Sequence, residues 1–164
     1  PHRLRSGASR LFDSEGLPTK KREILSKGVL NGWTLDLASA RKLGMKPTAN
    51  ASRSASSNPS PTNWNIELSS PKDYCDNLLN EMRNGLLVTS LIGSTINPNT
   101  GDYSRGVSGF WVEDGQICYP VSEITIAGNL RDMLKTIILG NDAQRHLSYV
   151  VPSILVEDMT LAGS

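Results

Sequence analysis

Histidine and cysteine are almost missing from this chain. Its 164 residues hold two of each: His2, His146, Cys75 and Cys118. A zinc site needs three or four Cys, His or carboxylate ligands, and recognisable sites cluster them at short spacing. Two histidines near opposite ends, with no His-Glu-x-x-His and no Cys-x-x-Cys, do not supply one. His146 follows Asp142 at helical spacing, but the residues between read as a turn, so His146 is expected at the surface or a helix end. Two cysteines make no disulfide framework, which predicts a reducing, cytoplasmic setting. Long apolar runs are absent too. The longest, around residues 136–139, is broken by Lys135 and Gly140, far short of the roughly 20 residues that cross a bilayer. There is no Gly-x-x-x-x-Gly-Lys and no strand–Gly-x-Gly-x-x-Gly–helix unit to cradle a phosphate. The nearest approach to a nucleophile elbow, Gly106-Val107-Ser108-Gly109, lacks the spacing. Its glycines read as close strand packing or a bulge. Cys118 has no nearby His to lower its pKa and reads as a buried structural thiol. Cys75 reads as part of the first turn of a helix, where Asp73 and Asp76 oppose any acidifying effect of the helix dipole. Glu113, Asp114 and Glu123 read as solvated rims of a hairpin. No self-contained active site emerges.

What is present is a chain of ordinary single-domain size, 38% hydrophobic and 20% charged. The net charge of +1 hides an asymmetry: residues 1–53 carry 11 Lys and Arg against 4 Asp and Glu, and residues 54–164 carry 6 against 12. A basic segment beside an acidic body can mark a nucleic-acid or acidic partner. Here the basic residues are scattered among Leu, Gly and Ser, and aromatics are only 5% of the chain. No aromatic-rich basic face can form to stack bases, so nucleic acid is the least favoured partner. The start at Pro1 is expected of a processed chain or a portion of a longer one.

Turn chemistry and periodicity predict an α+β fold, mainly antiparallel sheet with two or three helices. Residues 11–35 read as a hairpin unit, with a turn at Asp13-Ser14-Glu15-Gly16 and strands at 22–25 and 29–35 flanking Ser26-Lys27-Gly28. Asp36 suits the N-cap of a short helix that Gly44 ends. Residues 48–63 (TANASRSASSNPSPTN) contain no large apolar side chain. They read as a flexible surface loop inside one domain spanning 1–164, unable to contribute to a core. Residues 64–68 alternate as a strand. Ser70, Pro71 and Asp73 mark a helix start, Tyr74, Leu78, Leu79 and Met82 share its apolar face, and Gly85 supplies its stop. Residues 86–92 read as a buried strand. The clearest hairpin runs over 106–113 and 116–121 around Asp114-Gly115. Residues 124–126 extend it as a strand, and Asn129 caps a helix through Ile138. Residues 150–156 and 159–161 close the chain as strands.

One stretch is more distinctive. NPNTGDYSRGVSGFWVEDG at residues 97–115 leads to Tyr119-Pro120-Val121 and then to EITIAGNL at residues 123–130. Upstream stand Phe12-Asp13-Ser14-Glu15-Gly16 and SARKLGM at residues 39–45, and EDMTLAG at 157–163 ends the chain. Across nearly its whole length the chain resembles the C-terminal domain of the TldD/PmbA family, once described as modulators of DNA gyrase, and more narrowly its PmbA (TldE) branch. The resemblance implies a longer protein and an assembly that degrades or trims unfolded peptides. In that assembly zinc belongs to a TldD-type partner, bound by a His-Glu-x-x-x-His helix and a cysteine near the C-terminus. Residues 140–164 contain no Cys, so no catalytic residue and no metal ligand carries over. The implied role is that of the metal-free subunit, with no cofactor in this chain. It would pair with a TldD-type subunit or form a homodimer, and wall a peptide chamber with no membrane partner. The alternative is a peptide- or protein-binding module without proteolysis. The stretch expected to meet peptide or partner is Asp102, Tyr103, Ser104 and Arg105, polar residues between two glycines at the entry to a strand. The competing reading is a turn whose polar groups satisfy their own backbone.

Overall fold

The computed structural model describes residues 3, 6–69 and 75–163. The helix start read at Ser70, Pro71 and Asp73, the apolar position Tyr74, and His2 lie outside these residues. The chain divides into two compact units, one of Pro1–Leu68 and Gln144–Val151, the other of Ser69–Ala143 and Pro152–Ser164. The α+β class holds, with a mostly antiparallel sheet and three helices among the described residues.

The first unit is assembled from very short elements. Strands β1 (Leu25–Ser26) and β2 (Val29–Leu30) pair antiparallel around Lys27 and Gly28, whose φ of 51° and 78° are those of a type I′ turn. The strand expected at 22–25 is shorter because Arg22 bridges by side chain. Its guanidinium donates to the Trp33 carbonyl at 2.8 Å and to Thr34 Oγ1 at 2.9 Å. Helix α1 (Leu37–Leu43) begins where expected, with the Asp36 carboxylate accepting from the Ser39 N–H at 2.7 Å, and ends at Gly44 with φ 64°. Strands β3 (Ala51–Ser52) and β4 (Ser60–Pro61) pair with each other. That corrects the reading of residues 48–63 as unable to reach a core. Ala49 and Ala51 are buried, because a small side chain suffices where the backbone itself is tied inward. The tie is Asp13, itself buried, whose carboxylate accepts from the N–H groups of Glu15, Leu17 and Ala51 at 2.9–3.0 Å. Strand β5 (Ile66–Glu67) pairs parallel with β10 (Tyr149–Val150).

The second unit is dominated by one ladder. Helix α2 (Leu78–Met82) is capped by Asn77 and closed at Arg83, and Gly85 opens a strand rather than stopping the helix. Cys75 precedes this helix in an isolated parallel bridge to Gly140, so it does not belong to a first helical turn. Strands β6 (Gly85–Ile96), β7 (Asp102–Glu113) and β8 (Gln116–Asn129) form a meander. The expected hairpin at Asp114–Gly115 is present, with φ of 47° and 75°. Helix α3 (Leu130–Met133) is one turn long, not the run to Ile138 expected from periodicity. The β-branched sequence Thr136-Ile137-Ile138 favours extended backbone. There β9 (Ile138–Leu139) pairs with β11 (Ile154–Leu155). Strand β12 (Thr160–Ala162) completes a sheet of order β12-β8-β7-β6. Its buried apolar residues are Val107, Val112 and Ile126. Residues 86–92 are not uniformly buried: Leu91 and Ile92 are exposed because β6 has a neighbour on one side only.

Candidate functional site

The ladder is regular except at three places that set where side chains point. Between Val107 and Gly109 the pairing slips on both sides of β7. A Cβ on Gly109 would lie 1.9 Å from the Leu87 carbonyl oxygen, so a close backbone approach excludes any side chain there. Of the two glycines in Gly106-Val107-Ser108-Gly109, Gly109 thus serves close packing at a bulge, as expected, whereas a Cβ at Gly106 would meet only ordinary contacts with Ile92. A second slip lies between Trp111 and Val112. The third is on β6, where Ile92 pairs with Gly106 and Thr95 with Ser104, so that Gly93 and Ser94 together oppose Arg105. Gly93 has φ 71°, as the first residue of a bulge of this kind requires.

The four residues expected to act together are divided by the strand. Successive side chains point to opposite faces, so Asp102 and Ser104 share one face and Tyr103 and Arg105 the other. Asp102 answers to the turn reading. Its carboxylate accepts from Thr100 Oγ1 at 2.6 Å and from Asn129 Nδ2 at 3.4 Å. The preceding loop is closed by Asn97, whose side chain accepts from the N–H of Asn99, and by the Gly101 N–H donated to the Asn97 carbonyl. Tyr103 and Ser104 make no side-chain hydrogen bond to any described residue. Arg105 is different: its Nε is shut off from solvent and has no acceptor among the described residues.

Beside these residues runs the edge of the sheet, within the strand-rich segment 86–126 that the sequence already offered as a possible peptide-accepting edge. β6 is the last strand of the sheet, so one side of its twelve-residue backbone is unpaired by any described strand. It carries exposed Leu91, Ile92 and Ile96. The strand expected at residues 86–92 lies within it, but a strand pattern alone does not say which neighbour is missing.

Other groups are structural or solvated. The Asp142 carboxyl is held below the ordinary carboxylate range, first by the Ser153 hydroxyl at 2.6 Å and then by the Ser153 N–H at 2.8 Å. Glu113, Asp114 and Glu123 are exposed, and Glu113 accepts from Trp111 Nε1. Cys118 is exposed, contrary to its reading as a buried thiol, because its part of β8 has a neighbour on one side only. His146 is exposed in a turn. Among the described residues no group of three or more His, Cys, Asp or Glu side chains is placed to hold a metal ion, so these residues do not fit a zinc centre. No helix of the described residues is long and apolar enough to cross a membrane.

A family model described as the PmbA/TldA metallopeptidase C-terminal domain matches residues 1–163. The metalloprotease PmbA of Escherichia coli O157:H7 is 46% identical over 164 residues, an alignment covering 99% of this chain and 34% of that protein. A crystal structure from Bacteroides thetaiotaomicron, provisionally described as a modulator of DNA gyrase, superposes with a TM-score of 0.83 at 33% identity. It is matched by 100% of this chain and over 35% of its own. TldE of Thermococcus kodakarensis shares the fold, with a TM-score of 0.80 at 24% identity over 94% of this chain and 36% of its own. The chain therefore spans about a third of the length of the curated relatives it matches.

Proposed function

The chain belongs to the PmbA/TldD metallopeptidase family as its C-terminal domain, and from that premise we propose that it serves the metal-free, PmbA/TldE-like subunit of a zinc-dependent peptidase assembly acting on unfolded peptides. Its part is to pair subunits and wall the peptide chamber, with the zinc held by a TldD-type partner; a homodimer is the other arrangement of the same surfaces. The lack of any Cys in residues 140–164 supports the metal-free assignment. A cytoplasmic setting belongs to the same reading.

The observation that carries the proposal is the side of β6 that no described strand pairs. A peptidase acting on many sequences must hold main chain, and an unpaired strand edge does so by offering N–H and C=O groups to an added strand. Exposed long edges are ordinarily blunted by charge, proline or short length. β6 runs for twelve residues without a charged side chain or proline and shows Leu91, Ile92 and Ile96. Asp102, Tyr103, Ser104 and Arg105 lie on the adjacent strand.

The test uses the full-length parent protein, recovered with whatever it binds in its source cells and assayed for metal. A stoichiometric partner with a His-Glu-x-x-x-His helix, zinc in the complex and turnover of an unfolded peptide is the expected result. Recovery without partner or metal would sink the assignment and leave a binding module without proteolysis. Within the complex, Arg105→Ala is expected to weaken peptide turnover while leaving melting unchanged. A large fall in melting temperature would instead return residues 102–105 to a purely structural turn.

A further inference from the structure

Two Asn-Gly pairs occur in this chain, Asn31–Gly32 and Asn84–Gly85, and the fold treats them differently. An asparagine before glycine carries an electrophile, the side-chain amide carbon Cγ, next to a backbone nitrogen that no following Cβ shields. Whether the two atoms meet depends on how firmly each is held. Asn84 is held: its Oδ1 accepts from the Asp114 N–H at 3.0 Å, and Gly85 is in register with Val112 as the first residue of β6. The related pair Asp114–Gly115 is held as well, because the Gly115 N–H donates to the Arg83 carbonyl at 2.8 Å. Asn31 is exposed and lies outside any strand or helix. Neither its side-chain amide nor the Gly32 N–H bonds to any described residue. The nearest ties fall on either side of the pair. The Asn31 N–H donates to the Ile24 carbonyl at 2.8 Å, and the Trp33 carbonyl accepts from Arg22 at 2.8 Å.

We propose that Asn31–Gly32 is a self-modification site whose products are aspartate and isoaspartate, and that the isoaspartyl form uncouples the β1–β2 hairpin from Arg22. The Gly32 nitrogen attacks Asn31 Cγ and a C–N bond forms. The Gly32 proton and the side-chain NH2 leave together as ammonia, closing a succinimide. Water then adds to one ring carbonyl. Breaking the Cγ–N bond leaves aspartate, whereas breaking the bond from the α-carbonyl carbon to nitrogen leaves isoaspartate. Either product places a negative charge where a neutral amide stood. Isoaspartate also routes the main chain through Cβ and Cγ, one atom longer than before. That atom enters between the tie at Ile24 and the tie at Arg22, whose guanidinium also holds Thr34 Oγ1 at 2.9 Å. The inference stands apart from the peptidase reading.

The full-length protein, kept folded in mildly alkaline heavy-oxygen water beside a sample in denaturant, tests this. Both are incubated until the denatured sample has reacted, then digested in ordinary water and mapped by fragmentation that separates aspartate from isoaspartate. Both products are expected at position 31 of the folded protein, each with one heavy oxygen, while Asn84 reacts only in denaturant. Gly32→Ala, whose Cβ meets nothing within 4 Å, should slow the reaction severalfold and leave the melt unchanged. An intact Asn31 in the folded sample would overturn the proposal. So would equal rates at Asn31 and Asn84 in that sample, or aspartate as the sole product, which is direct hydrolysis. For the consequence, the isoaspartyl fraction is expected to melt below both the unreacted protein and Asn31→Asp, which adds the charge without the extra atom. Equal melting of all three, or a fall shared by Asn31→Asp, would overturn the uncoupling.

Discussion

The two units of this chain are held together in different ways. In the unit of Pro1–Leu68 and Gln144–Val151, no strand of the described residues exceeds two residues, and side chains do what a ladder would do elsewhere. Asp13 gathers three backbone N–H groups, Asp36 caps α1, Arg22 bridges two segments, and Thr48 bonds both the N–H and the carbonyl of Leu35. Its buried apolar groups are mostly alanines. In the unit of Ser69–Ala143 and Pro152–Ser164, three strands of twelve to fourteen residues carry the structure through backbone bonds, and Val107, Val112, Ile126 and Leu139 fill buried positions. The first kind of structure depends on a few irreplaceable polar atoms. The second is redundant along its length and vulnerable only where two backbones touch.

That contrast can be broken most sharply at Gly109. A Cβ there would sit 1.9 Å from the Leu87 carbonyl. Gly109→Ala is expected to cost about 3 kcal/mol or more and to lower the melting temperature steeply, since the strands must separate to admit it. An unchanged melt would show that the approach is relieved cheaply. Next comes Asp13→Ala, which strands the N–H groups of Glu15, Leu17 and Ala51. A loss of about 2–3 kcal/mol by urea titration is expected, with Asp13→Asn retaining part of it. If Asp13→Ala is silent, the first unit does not depend on its polar node.

A pH series sharpens the comparison further. Asp36 and Asp142 are both held below the ordinary carboxylate range by serine hydrogen bonds, one in each unit. A carboxyl whose folded pKa is lowered adds stability above its unfolded value, near 4, and loses it as pH falls through the folded value. Melting temperature should therefore drop on acidification below about pH 4. Asp142→Asn should lower stability at neutral pH and shrink the acid-induced drop. An acid limb unaltered by that variant would place the drop elsewhere. The smallest effect is expected at Gly28, exposed with φ 78° in the β1–β2 turn. Gly28→Ala should cost about 1 kcal/mol, all of it backbone strain.

Local chemistry was legible wherever a short sequence settles its own geometry. Asp114-Gly115, Asp36 with Gly44, and the turn after Asp13 sit where their residue types put them. Helix lengths were not, because the apolar spacing at Leu130, Met133, Leu134, Ile137 and Ile138 fits a helix while Ile138 finds a strand partner seventeen residues on, at Leu155. Residues 48–63 misled in the opposite direction, since a polar loop can bury an alanine when a distant carboxylate holds its backbone. The candidate stretch was half legible. The turn chemistry of Asp102 is written in Asn97-Pro98-Asn99-Thr100-Gly101, but which face Arg105 shares, and with what, depends on bulges in two neighbouring strands.

By itself the sequence determined the α+β class, the hairpin turns, the cap of α1 and the family, because each follows from residue types a few positions apart or from a long specific motif. Only the tertiary structure decided that β6 stands at the end of its sheet, that Gly93 and Ser94 bulge opposite Arg105, and that its Nε is buried without an acceptor. Those are relations between strands, and strand order and register are set by contacts between residues far apart in the chain.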